Sequence, residues 1–183
     1  WDLAVEKFEN EKYLDSFEAF LDYLNDEKEG NVAYWQADGK LIFEILQGSK
    51  KISGMADHTK IRVEAKISNA TSLNIAFLQR MAEQNFGLNF SRFGLDHDNN
   101  ITIVFDSFVL DASPYKLYYA IRELAINADK HDDLLIDEFE ELKPIENKHL
   151  LELTENKKAV KYGFITKKIK EVLDEIENGR LDA

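Results

Sequence analysis

The sequence predicts an α+β fold: an antiparallel five-stranded sheet with helices in the order α-βββ-α-ββ-α, followed by a C-terminal helical tail. Three observations predict it. In "NVAYWQADGKLIFEILQG" two runs of β-forming residues flank Asp38-Gly39, a dipeptide that supplies the positive φ angles of a two-residue hairpin turn. "TKIRVEAKIS" alternates strictly between apolar and charged residues, as a strand with one wet face does. Between such stretches lie segments with helical period, one of them opened by Ser113-Pro114, a capping hydroxyl followed by the proline favoured in a first turn.

Taken in order, residues 2–26 read as helix, broken near Lys12. Phe17, Phe20, Leu21 and Leu24 share one face, and Ser16 is a candidate cap for a restart there. The hairpin follows. Its turn fixes the pairing of Ala37 with Lys40, Trp35 with Ile42, Tyr34 with Phe43 and Val32 with Ile45. Val32, Tyr34, Leu41, Phe43 and Ile45 then share the core face, while Trp35 and Ile42 stand on the other among Lys40 and Glu44. A loop through Gly48 and Gly54 leads to the third strand, with Ile61, Val63, Ala65 and Ile67 inward. "NATSLNIAFLQRMAEQNFG" is a helix entered at Thr71 or Ser72 and stopped by Gly87. At about 100° per residue its apolar positions cover well over half its circumference. That is too much for a surface helix of a small domain, so either the helix is sandwiched or its second face meets another subunit. "LNFSRFGL" and "ITIVFDSFVL" are two further strands, and the helix from Ser113 carries Leu117, Ile121, Leu124, Ala125 and Ala128 on one face. After Pro144, residues 145–178 form the tail, so the expected units are 1–143, an α+β domain, and 144–183, a helical extension. The lysines of the tail precede its acids, against the helix dipole. The lysine-rich half is therefore expected to face an acidic helix of this chain or a partner.

The composition narrows the function classes. The 183 residues have 44% hydrophobic content and a formal net charge of −12, enough apolar material for a core and the wrong sign for phosphate. The excess is concentrated: −7 in residues 1–30 and −5 in residues 111–144, with balance elsewhere. Nucleic-acid binding is not expected. No apolar run reaches the roughly 18–20 residues of a membrane span. The chain is expected to be cytoplasmic, although it begins at Trp1 without a Met, which leaves room for a removed leader. Zero cysteines exclude disulfides, thiol catalysis and cysteine-ligated metal.

Asp96-His97-Asp98-Asn99-Asn100 has oxygen donors at alternate positions, as a calcium loop does. The sixth and twelfth positions are Ile101 and Ser107, where such a loop needs Gly and Glu. The stretch reads as a strand-to-strand turn. His58, His97, His131 and His149 are scattered, and no nucleophile elbow, phosphate loop or dinucleotide fingerprint is present. No cofactor, metal or catalytic residue is expected, and the chain is not expected to be an enzyme.

The order of elements resembles the YbjN-like group, which shares the fold of type III secretion chaperones. The resemblance rests on "NFGLNFSRFGLDHDNNITIVFDSFVLD" after the middle helix and "SPYKLYYAIRELA" opening the next, and covers roughly residues 14–142. It implies a bacterial, non-enzymatic α+β domain; the chaperones are acidic homodimers that hold an unfolded segment of a client protein. In those relatives the helix after the third strand helps form the dimer. The expected function is therefore a protein-binding module, chaperone- or adaptor-like, that binds a client segment as a homodimer. Trp35, Ile42, Phe90, Val104 and Phe108 are the expected partner-binding residues, and Leu73, Phe77, Leu78 and Met81 the expected dimer interface. Two alternatives remain open: an assembly domain without a client, and a small-ligand binder whose helix–sheet pocket gathers Asp106, Arg92 and His97.

Overall fold

The computed structural model describes residues 1–145 and 155–177. The chain divides into two compact units, Trp1–Asn147 and Lys148–Ala183.

The first unit is α+β. Two short helices, α1 (Asp2–Glu9) and α2 (Tyr13–Leu24), precede the strands β1 (Val32–Ala37), β2 (Lys40–Gln47), β3 (Lys50–Ala56) and β4 (Lys60–Ala70). Helix α3 (Ile75–Gln84) runs into a 3-10 turn, Asn85–Gly87, followed by β5 (Arg92–Leu95) and β6 (Asn100–Phe108). A second 3-10 turn, Val109–Asp111, leads to the long helix α4 (Pro114–Glu138) and the short strand β7 (Leu142–Pro144). The antiparallel sheet has seven strands in the order β1-β2-β3-β4-β6-β5, with β7 on residues 68–70 of β4, beyond the end of β3.

The first hairpin has the register that its Asp38-Gly39 turn dictates, including Trp35 opposite Ile42 and Tyr34 opposite Phe43. Both turn residues have positive φ, 50° and 72°. The sheet exceeds the expected five strands by β3 and β7. β3 lies where a glycine-marked loop was expected: Gly48, at φ 57°, makes the β2–β3 turn, but Gly54 is inside the strand. It pairs with Phe43, whose ring lies so close that a Cβ at position 54 would sit 2.0 Å from it. A glycine inside a strand here marks close packing rather than a loop.

The inner face of the sheet carries Leu41, Phe43, Ile45, Ile52, Ile61, Val63, Ile103 and Phe105, all buried. α2 packs on β1, and α4 on β3, β4 and β6. Phe17, Phe20 and Leu21 come from α2; Leu117, Ile121, Leu124 and Ala128 come from α4. The N-terminal helix does break near Lys12, with Glu11 at φ 60°. Ser16 is not the cap of the second piece. It is buried one turn inside α2, and its Oγ donates to the Ala4 carbonyl at 2.6 Å, tying the two helices together. The expected cap at Ser113 is present, accepting from the Lys116 backbone N–H at 3.3 Å. α3 starts later than expected, with Asn74 as its cap; Asn74 Oδ1 accepts from the Ala76 N–H at 2.6 Å.

The second unit contributes α5 (Glu155–Glu177). Val160, Phe164, Ile165, Ile169, Val172 and Leu173 recur along it and are exposed, since a lone helix has nothing of its own to bury them against. Its reversed charge order is met locally: Lys168 donates to Glu171 at 2.7 Å, with Lys167 at 3.8 Å from the same carboxylate. The expected tail residues 146–154 and 178 lie outside the described residues, as does His149.

Candidate functional site

Strand geometry sets the outer face of the sheet by alternation with the core face. Reading across the registers, one row runs Trp35, Ile42, Met55, Arg62, Asp106. The next runs Ala33, Glu44, Ser53, Glu64, Val104, Arg92. The first three members of the first row are apolar and sit on adjacent strands. Trp35 is 45% exposed and Met55 39%. Beyond them the face becomes ionic: Arg62 pairs with Glu64 at 3.1 Å, Arg92 with Asp106 and Lys66 with Asp96 at 3.3 Å, while Lys51 and Glu44, 2.8 Å apart, form a pair on β2 and β3 beside the apolar row. These exposed pairs each contribute little to stability, but they set the polarity of that half of the face.

The structure thus brings Trp35 and Ile42 together and adds Met55, which the sequence reading missed because it sat in the supposed loop. The remaining expected partner-binding residues do not join them. Val104 is buried, 5% exposed, in the ion-paired half between Glu64 and Arg92; a residue so covered is not available to a partner. Phe108 is exposed at the far end of β6, with the Lys60 ammonium 5.5 Å from its ring. Phe90 precedes β5, in a segment held by the Glu123 carboxylate. That carboxylate accepts from the backbone N–H groups of Asn89, Phe90 and Ser91 at 2.8–2.9 Å and from the Ser91 hydroxyl at 2.8 Å. Burial pushes the Glu123 carboxyl up, but these bonds outweigh it and hold the pKa at about 2.

β1 is an edge strand, paired only with β2. Its six residues, VAYWQA, contain no charge and no proline, the devices that ordinarily blunt an open edge. On the inner side it is pinned to α2, with Tyr34 donating to Asp22 at 2.7 Å and Gln36 to Glu18 at 2.5 Å. The bond to Asp22, with lesser help from burial and the nearby acids, pushes the Tyr34 phenol up to about 12.

α3 has two apolar faces, and the four expected interface residues divide between them. Phe77 and Met81, four positions apart, point inward; Phe77 is completely buried and Met81 nearly so, and Phe77 packs edge-on to Phe139 with centroids 6.1 Å apart. As parts of this chain's own core they are unavailable to a second subunit. Leu78 is exposed, on the same side of the helix as Ile75, which is 83% exposed. Leu73, before the helix, and Phe86, after it, are also exposed, Phe86 at 94%.

The polar groups expected to converge in a helix–sheet pocket do not. Arg92 and Asp106 pair on the outer face, and His97 stands exposed at the β5–β6 turn beside Asp98. That turn takes the form its residue types suggest. Asp96 Oδ1 accepts from the N–H groups of Asp98 and Asn100 at 2.9 and 2.8 Å, and Asn99 has φ 60°. Burial would raise the Asp96 carboxyl, but the bonds from Asn100 and Asp98 bring it down to about 2. A cavity between helix and sheet lies elsewhere, about 540 Å³ lined by Ile45, Ile52, Ile121 and their neighbours.

No protein-family model and no curated protein matches the chain. Solved structures similar to it include two complexes. One is the crystal structure of the ExsC–ExsE complex, 14% identical, with a TM-score of 0.39 over 65% of this chain and 92% of the other. The second is that of the Yersinia pestis type III secretion chaperone SycH in complex with a stable fragment of YscM2, 14% identical. Its TM-score is 0.36 over 62% of this chain and 93% of that one.

Proposed function

We propose that this chain is a non-enzymatic protein-binding module, chaperone- or adaptor-like, that takes an extended client segment against the β1 edge as a homodimer. The Trp35–Ile42–Met55 row, exposed at Trp35 and Met55 and half-buried at Ile42, adjoins an open edge strand free of charge and proline and is the observation that carries the reading. A segment added to β1 gains main-chain hydrogen bonds, and every second side chain reaches the apolar row. The helices of the first unit pack against the opposite face, so they do not compete for this surface. The second apolar face of α3, with Leu73, Ile75 and Leu78, supports pairing of two copies there.

Three of the carboxylates are committed to the fold. Asp57, Asp96 and Glu123 are each held at about 2 by hydrogen bonds that organise turns and loops. None is poised near neutral pH to move a proton.

The test is capture of the client from source lysate by the full chain and by a Trp35→Ala, Met55→Ala variant, followed by hydrogen exchange on the complex. A stoichiometric protein bound only by the unaltered chain, with β1 amides newly protected, is expected. A partner that binds both forms equally, or leaves β1 exchange unchanged, places the client elsewhere and ends this reading.

A further inference from the structure

The half-open cavity of about 540 Å³ lies on the core side of the sheet, away from the surfaces above. α2 ends at Leu24, and α4 crosses towards β3, β4 and β6, so the ends of β2 and β3 between them are left partly uncovered. Ile45 and Ile52 from the sheet, with Ile121 and Ala125 from α4, are buried apolar lining; Leu24 and Tyr118 complete the walls. The volume falls inside the roughly 300–1,000 Å³ of pockets that enclose small ligands.

The mouth is polar, and its charge has the opposite sign to that of the molecule. Arg122 and Lys130 both line it, and neither side chain has a hydrogen bond or ion pair among the described residues. The third charged lining residue, Asp129, already accepts from the Ser49 hydroxyl at 3.2 Å and its backbone N–H at 3.4 Å. This contact ties the β2–β3 turn to α4 and spends the one local anion on a structural bond. Arg122 and Lys130 are separated by eight positions on α4, about 12 Å along the axis. Both line the cavity, so an anionic head can meet either of two cations that have no ion-pair partner among the described residues. Gln47 adds an amide at the rim.

We infer that this cavity binds a small amphipathic anion, a monocarboxylate with an alkyl or aryl body, its apolar part against Ile45, Ile52 and Ile121 and its head at Arg122 or Lys130. The proposal is independent of the client surface, because it uses the opposite side of the sheet.

The probe is decanoate, titrated calorimetrically into the full chain at pH 7 and low salt and followed by isoleucine methyl NMR. The expected result is saturable one-to-one binding with shifts concentrated at Ile45, Ile52, Ile121 and Ile126. Arg122→Glu with Lys130→Glu should weaken it at least tenfold while the circular dichroism spectrum is unchanged, and decyltrimethylammonium should not compete. Both side chains are exposed, so the pair should fold; Arg122→Gln with Lys130→Gln is the milder version if it does not. The inference is overturned by absence of saturable binding, by affinity that survives loss of both cations, by equal binding of decyltrimethylammonium, or by shifts centred on Ile42 or Ile75.

Discussion

At the scale of single residues, Glu123 does the work of a small network. Its one carboxylate satisfies three successive backbone donors and a hydroxyl in the segment before β5. Glu123→Ala should cost about 1 kcal/mol, the low end of the 1–3 range for stranded donors, because this loop can turn its N–H groups to water. The pH dependence has a definite sign. The folded pKa lies near 2, below the ordinary 4.5, so the contribution is fully present above about pH 5 and fades as pH falls towards 2. Urea unfolding of the two forms should show a gap at pH 6 that shrinks by pH 3; a gap independent of pH would mean that the carboxylate charge is not what holds the loop. Nothing in the sequence singles out Glu123, since its partners are more than thirty positions upstream. Asp96, by contrast, was legible, because everything it binds in the turn lies within four residues.

At the scale of elements, α3 shows what a pattern of apolar residues does and does not specify. Its excess of apolar positions divides between a buried face and an exposed one, and which residue belongs to which depends on the phase of the helix. Phe77 and Met81 went inward and Leu78 outward, a distinction that composition alone does not contain. The two faces respond differently to substitution. Phe77→Ala removes a fully buried ring and should destabilise the fold by about 3–5 kcal/mol. On the proposed pairing of two copies through α3, Leu78→Glu should leave the fold intact and lower the solution mass from two copies to one, measured by light scattering. A folded Leu78→Glu variant that keeps the mass of the unaltered chain would remove α3 from the interface. β3 was invisible for a related reason: glycine ordinarily punctuates, and only the ring of Phe43 against Gly54 explains its place inside a strand.

For the whole molecule, hairpin register and helix order were readable because they are set by neighbours in sequence. The pairing of β4 with β6 and the attachment of β7 to β4 were not, because they join strands tens of residues apart. Among the described residues the hydrophobic core of the first unit runs from Ala4 to Leu142. A chain ended after Asn147 should therefore still unfold in one cooperative transition, with a midpoint within about 4 °C of the full chain, since 1 kcal/mol corresponds to roughly 2–4 °C at this size. Loss of cooperativity in a calorimetric scan would show that the first unit depends on the second. The net charge of −12 and the exposed apolar row belong to this scale as well, the one favouring solubility and the other association.

The pairing of Phe43 with Gly54 also constrains how this sequence can change over time. The aromatic ring fills the space that any side chain at position 54 would need, so neither position is free to drift alone. Among descendants of this chain, a methyl group gained at 54 should appear only where the ring at 43 has already given way to something smaller. The two sites would then be inherited as a correlated pair, a historical trace of one packing contact.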